Sequence, residues 1–221
     1  MIFKDFKLVH VNLNYLEALH DADSEVMYRR GTVYAKKPFL GILVMNNDKK
    51  YVIPFTSAKE KHKTWDDVNQ SYYRIYEVIN MKTAVYDADD IIVDISNTSV
   101  LSKKGIPEDE YENYKKRILS VLEIKKMIPV IEGVYSYVDL SLNDELSKDE
   151  HDWRVLTYKE YMFCKNIRDG IQRRAKKIYD KQIKTGKVLK FHCNYRRLEA
   201  VANAYKTPNP VEADAKKEKD Q

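Results

Sequence analysis

The sequence predicts one α+β domain. A β-hairpin is legible at 39–55 and an amphipathic helix at 157–184, and no internal repeat or linker divides the chain around them. At 221 residues the chain is long enough to bury one proper core. The domain is expected to span 1–205. The remainder, 206–221, has two prolines, no aromatic residue and charges of alternating sign, so it cannot bury enough surface to order itself and is expected to be a disordered polar tail.

The elements follow from periodicity and punctuation. Residues 7–11 form a short apolar strand, after which Asn12 is placed to cap a helix through about Asp21, with Leu13, Leu16 and Leu19 near one face. Residues 22–36 carry charges and Gly31 and read as irregular. The run 39–45 is almost wholly apolar, Asn46, Asn47 and Asp48 supply a turn, and 50–55 returns as the partner strand. A polar, lysine-rich loop is expected over 56–67, then strands at 73–79 and 91–95. Pro107 and the acids after it open a helix expected to reach about Lys116. Residues 119–124 and 127–131 read as a strand and its continuation, with Pro129 marking an edge or bulge, and 134–140 as a strand or the lead into a turn. Tyr161, Cys164, Ile167, Ile171, Ala175 and Ile178 recur at three- and four-residue steps, which gives the long helix its apolar stripe. Gly186 is placed to stop that helix, and Asn194 to cap a last one through about Tyr205.

Composition excludes several function classes. No apolar run approaches the roughly 20 residues a membrane helix needs, and the N-terminus lacks an extended apolar segment of the secretory kind, so the expected place is the cytoplasm, away from membranes. Cys164 and Cys193 are too few for a disulfide framework and read as reduced, structural thiols. His10, His20, His62, His151 and His192 are scattered without metal-ligand spacing, so neither a metal nor another cofactor is expected. Asp87, Asp89 and Asp90, like Asp66 and Asp67, read as turn residues.

Charge is unevenly spread. Between Arg168 and Arg197 stand eleven Lys/Arg and two Asp, a local +9, and with a total of +5 the rest of the chain sums to −4. Such an excess suits a phosphate-backbone binder, although a solvated helix face has the same composition. Chemistry is easiest to place in the loop after the hairpin, where Thr56, Ser57, Lys59, Lys61, His62 and Lys63 crowd into eight positions. Closing the hairpin brings Lys37 towards Thr56 and Lys59. Cleavage of RNA through its own 2′-hydroxyl needs a base, an acid and donors around the phosphate, and lysines beside hydroxyls can supply all three. Crowded lysines lower one another's pKa, which makes one of them a proton carrier. Taken alone, a Thr-Ser turn followed by lysines is more often a solvated loop, and a lone His62 in it more often a surface histidine than a catalyst.

The run Lys37-Pro38-Phe39-Leu40-Gly41-Ile42, the return Tyr51-Val52-Ile53-Pro54-Phe55-Thr56-Ser57-Ala58-Lys59, the later Met127-Ile128-Pro129-Val130-Ile131 and Val138-Asp139-Leu140, and Cys193-Asn194-Tyr195 before the last helix together resemble the ToxN/AbiQ family, the endoribonuclease toxins of type III toxin–antitoxin systems. The resemblance covers most of 7–205 in the same order. It implies a strongly bent antiparallel sheet like that of the MazF/Kid toxins, surrounded by helices. It also implies metal-independent cleavage of RNA, often at adenine-rich sites, to 2′,3′-cyclic phosphate and 5′-hydroxyl ends. The implied partners are cellular mRNA as substrate and a small pseudoknot antitoxin RNA, cut from a repeat transcript by the toxin and bound to it in a closed alternating protein–RNA assembly. The implied role is phage defence by abortive infection.

Matched position by position, the family's catalytic groups fall on Lys37, Thr56, Ser57 and Lys59. Lys61 and His62, and more loosely Tyr15 and Tyr34, are further catalytic or RNA-binding candidates. Arg168, Arg173, Arg174, Lys176, Lys177, Lys181 and Lys184 become the expected RNA groove. The chain departs from its relatives in having Ala58 where they commonly carry Pro, and in a longer stretch at about 80–117. Two other readings use the same residues: an RNA-binding module without catalysis, and a protein-interaction domain whose basic helix meets an acidic partner.

Overall fold

The computed structural model describes residues 1–30, 37–45 and 48–207. Among them eight strands, β1 (Ile2–Val11), β2 (Phe39–Val44), β3 (Lys50–Ser57), β4 (Tyr73–Asn80), β5 (Ile91–Val93), β6 (Tyr114–Leu122), β7 (Ile128–Val130) and β8 (Tyr135–Tyr137), form one antiparallel sheet. Its order is β4-β6-β3-β2-β1-β8, with β5 paired to β6 and β7 to β3. The hairpin is as expected: β2 (Phe39–Val44) pairs with β3 (Lys50–Ser57), although its turn residues Asn46 and Asn47 lie outside the described residues. β1 (Ile2–Val11) begins five residues earlier than the apolar run at 7–11, because its alternating N-terminal half pairs with β2. Asn12 caps α1 (Leu13–Ala22), its side chain accepting from the N–H groups of Asn14 and Tyr15.

β3 is the central strand. Along one edge it pairs with β2. Along the other it meets β7 (Ile128–Val130) at Lys50–Val52 and then β6 (Tyr114–Leu122) at Phe55–Ser57. Pro54 sits where the neighbour changes, so its missing N–H costs no ladder bond, and its carbonyl accepts from the Glu123 N–H at 3.0 Å. Between β6 and β7 the chain passes through a 3-10 turn, Ile124–Lys126.

Register shifts in β1–β2 and β2–β3 coincide with Gly41, whose φ is +58°. A Cβ there would stand 2.6 Å from the Phe3 ring. Gly41→Ala is therefore expected to cost about 2–5 kcal/mol, strain and overpacking together, read as a lower midpoint in urea at unchanged slope.

Two expectations are corrected. The segment opened by Pro107 is a 3-10 turn, Glu108–Asn113, and the chain then enters β6 at Tyr114, well before 119. Eight registered pairs with β4 (Tyr73–Asn80) hold this strand. The Lys116 charge that disguised it is buried, ion-paired to Asp67 at 2.5 Å and 4.4 Å above the Tyr76 ring. The long helix is two: α3 (Lys148–Asn166), capped by Ser147, and α4 (Arg168–Thr185), divided at Ile167. There the Ile167 N–H bonds to the carbonyl of Cys164, a tightened last turn. The three- and four-residue rhythm runs on through this break because both helices bury the same stripe, so periodicity alone did not register the change of direction. The helix stop at Gly186 (φ +67°) and the Asn194 cap of α5 (Tyr195–Ala204) are as expected.

The stretch at 80–117 supplies β5 (Ile91–Val93) and a short α2 (Ser99–Ser102) before it enters β6, and β8 (Tyr135–Tyr137) closes the far edge on β1. Both cysteines are buried and unpaired. No helix among the described residues is long and apolar enough to cross a membrane. Tyr34 and residues 208–221 of the expected tail lie outside the described residues.

Candidate active site

The hairpin builds one wall of an open cleft of about 760 Å³ lined by Lys37, Thr56, Ser57 and Lys59. Continuing the Phe39–Pro54 pairing outward by two residues sets Lys37 opposite Thr56, so strand register brings together groups nineteen positions apart in sequence. Thr56 and Ser57 belong to the end of β3 and not to the loop expected from 56, paired with Val121 and Ser120 of β6. Ladder bonds on this side therefore hold the two hydroxyls rigidly.

The chain then leaves the sheet into a 3-10 turn, Glu60–Thr64. His62 fixes that turn on Lys59. Its Nδ1 accepts the Lys59 N–H at 3.1 Å, and its own N–H donates to the Lys59 carbonyl at 2.8 Å. The ring is buried against Trp65, and burial followed by the charges of Lys61 and Lys59 pushes its pKa down to about 4. The ring is turned inward onto the Lys59 turn and away from the surface, a correction to its expected place among the exposed reacting groups. Lys61 is exposed beside the cleft, 5.6 Å from the Trp65 ring centroid.

Lys37 is half-buried, and its pKa is lowered first by burial, then by the charges of Lys59 and Arg29, while Glu160 opposes the shift. Glu160 itself projects from α3 into the interior. Burial raises its carboxyl to about 7, with the Ser120 hydroxyl and the Lys37 charge pulling the other way. Ser120 is the cross-strand partner of Ser57, so this carboxyl stands behind the site.

Sequence reasoning missed Glu160, and also Tyr28, Arg29, Arg30 and Lys126 on the opposite wall. One signal existed for Glu160: a carboxylate one helical turn before Cys164, on the stripe that faces the core. No comparable signal marked the others, because 22–36 has neither period nor motif and Lys126 falls between two expected strands. Lys126 donates to the Glu25 carbonyl at 2.9 Å and pairs with its carboxylate, which holds the opposite wall together.

The remaining candidates separate. Tyr15 is fully buried, its hydroxyl donating to the Pro129 carbonyl at 2.9 Å and its ring edge-on to Tyr205. It is a core residue, against the expectation of an RNA contact. Arg174 is likewise structural, donating to the Asn69 carbonyl at 2.9 Å and the Tyr73 hydroxyl at 2.6 Å. Arg168 lies over the rings of Phe3 and Phe6, and Lys176 pairs with Asp180. Arg173, Lys177, Lys181 and Lys184 are exposed along α4. Among the described residues no group of three or more His, Cys, Asp or Glu stands together to hold a metal ion.

Comparison with known proteins gives a consistent result. The family model for the toxin ToxN of type III toxin–antitoxin systems matches residues 7–203. The endoribonuclease ToxN of Bacillus thuringiensis subsp. kurstaki is 25% identical over 228 aligned residues, covering 100% of this chain and 92% of the relative. That of Pectobacterium atrosepticum is 23% identical over 194, covering 87% and 90%. Among solved structures, a type III system toxin inhibited by a non-coding RNA pseudoknot superposes with a TM-score of 0.62 at 20% identity, over 93% of this chain and all of the other. AbiQ, a lactococcal anti-phage endoribonuclease of a type III system, superposes at 0.60 and 23% identity, over 90% of this chain and 97% of its own. At these identities the superpositions speak to the fold alone.

Proposed function

The chain belongs to the ToxN family of type III toxins, and we propose that it is an endoribonuclease that needs no metal, attacking the phosphodiester with the RNA's own 2′-hydroxyl. The observation that carries this reading is the meeting of Lys37, Thr56, Ser57 and Lys59 in one cleft, with the Lys37 amine biased towards its neutral form.

In this mechanism neutral Lys37 removes the 2′-hydroxyl proton, and the 2′-oxygen forms its bond to phosphorus as the bond to the 5′-oxygen breaks. The exposed Lys59 ammonium offsets the charge on the phosphate and gives its proton to the leaving 5′-oxygen. Thr56 and Ser57 donate to the non-bridging oxygens from the rigid end of β3. The products are a 2′,3′-cyclic phosphate and a 5′-hydroxyl. His62 and Glu160 act from behind, the first by shaping the Lys59 turn and the second through Lys37.

The same reading extends to partners. Relatives include a toxin inhibited by an RNA pseudoknot and an anti-phage endoribonuclease, and we take this chain to be held by a pseudoknot antitoxin RNA in a closed alternating assembly, released in the cytoplasm on mRNA during phage infection. The register shifts at Gly41 support the strongly bent, MazF/Kid-like sheet that this function implies.

Incubation with an adenine-rich RNA in EDTA, with the ends mapped, tests the proposal. Cyclic-phosphate ends are expected, with Ser57→Ala and Lys59→Ala each slowing their formation by about 10²–10³-fold. RNA that is bound and left intact by the wild-type protein overturns catalysis and leaves a binding module.

A further inference from the structure

A second surface lies between α4 and α5. Gly186 ends α4, and from Lys181 to Leu198 the sequence holds six Lys/Arg and no acidic residue. Within that stretch Val188, Leu189 and Phe191 are exposed, Phe191 at 56%. Phe191 also adopts φ +64°, a backbone region that bulky residues almost never occupy.

The turn is not loose. The His192 N–H closes on the Leu189 carbonyl at 3.1 Å, and the Cys193 N–H donates to the Lys125 carbonyl at 3.1 Å. Gln182 brackets the next residues, donating to the Cys193 carbonyl at 2.9 Å and accepting the Tyr195 N–H at 2.7 Å. His192 and Cys193 are buried while their neighbour Phe191 is held out in water, with the Lys190 ammonium 4.8 Å from its ring centroid. The anchor at Lys125 adjoins Lys126 of the cleft wall, so the turn and the cleft share one short segment. Strain kept by a fixed frame, at an exposed ring with no aromatic partner among the described residues, marks a contact with something else.

Resting on the reading that this chain handles RNA, we propose that the turn is a stacking site for an unpaired base of an RNA strand, with Phe191 as the ring and Lys187 and Lys190 as the phosphate partners. Positive charge in a run that holds no acidic residue of its own suits a polyanion, and the nearby Asp23 carboxylate is taken up by the Asn194 N–H at 2.6 Å. An aromatic ring set among lysines suits a flexible single strand, since every base has a face to stack. The site is sequence-tolerant and adds affinity without taking part in the chemistry.

The test uses the full chain and a short, fluorescein-labelled, fully 2′-O-methylated adenine-rich oligonucleotide, which lacks the attacking hydroxyl and reports binding alone. Phe191→Ala is expected to weaken binding about tenfold with the slope of log K against log salt unchanged, its thermal unfolding staying that of the wild type. Phe191→Trp is expected to bind like the wild type and to lose fluorescence as RNA is added. The double variant Lys187→Ala, Lys190→Ala is expected to lower the salt slope by about 1.4. Wild-type affinity in Phe191→Ala overturns the proposal. So does wild-type binding to phosphatidylserine vesicles that Phe191→Ala abolishes while RNA binding stands, which assigns the turn to a membrane surface. A wild-type protein that fails to cut ordinary RNA yet gives the expected shifts here defeats the nuclease reading and leaves this site in place. One that cuts, with Phe191→Ala binding unchanged, defeats this site alone.

Discussion

Lys37→Ala is expected to lower the rate of RNA cleavage by about 10²–10⁴-fold, the range for loss of a positioned proton acceptor, with affinity for the 2′-O-methylated strand nearly unchanged. The surroundings of Lys37 favour the neutral amine: it is half-buried and has Lys59 and Arg29 as like charges. Lys37→Arg separates the two roles a lysine can fill there. A guanidinium keeps the charge and cannot release its proton at working pH, so Arg is expected to be as slow as Ala. Recovery of activity in Lys37→Arg would mean that the position supplies only charge and that the base lies elsewhere. Because a neutral amine is required, wild-type activity is expected to rise with pH through the Lys37 titration, which burial and the charges of Lys59 and Arg29 move below the ordinary lysine range.

How much of this was legible in the sequence depends on how far apart the parts lie along the chain. That Lys37 and Thr56 would meet in one cleft could be read because they stand at the open end of the two strands of one hairpin. The family resemblance, read over 7–205, agrees with the family match over 7–203 because it rested on runs whose residues are neighbours in sequence. What depended on distant packing could not be read. β6 hides behind Lys116, a charge that is tolerable in a strand only because Asp67, 49 positions away, comes to meet it. The division of α3 from α4 leaves no mark, since an apolar stripe continues across it. Tyr15 carries the same letter whether it faces RNA or the Pro129 carbonyl. The opposite wall of the cleft comes from residues whose only qualification is where the fold leaves them.

Composition was a fair guide to the basic helix in sum and a poor one residue by residue. Arg174 spends its guanidinium on Asn69 and Tyr73, and Arg168 lies over two phenylalanines, so the exposed face of α4 is narrower than the charge count implied. The excess continues past the helix instead, into the turn at Lys187–Phe191, where apolar side chains interrupt the lysines and the run stops looking like a solvated face.

Glu160→Gln is expected to stabilise the protein at pH 8 and to leave its stability at pH 4 little changed. The Glu160 carboxyl stands at about 7 in the fold against an ordinary 4.5, so the folded chain holds this proton to higher pH than the unfolded chain does. A raised value contributes stability that is fully present below about 4.5 and is lost as pH rises through about 7. The loss at pH 8 is about 3 kcal/mol. Glutamine keeps the shape, cannot ionise and escapes that loss, so the unfolding midpoint at pH 8 is expected to rise by roughly 6–12 °C for a chain of this size. Function responds through Lys37. With its carboxylate gone, Lys37 loses a group that helps it hold a proton, and the acid limb of the cleavage profile shifts to lower pH. Glu160→Gln that unfolds more easily at pH 8 would mean that Lys37 and Ser120 fully compensate the buried carboxylate. The expected pair of effects, a sturdier fold and a displaced pH profile, identifies a residue kept for the amine it faces and not for the core that surrounds it.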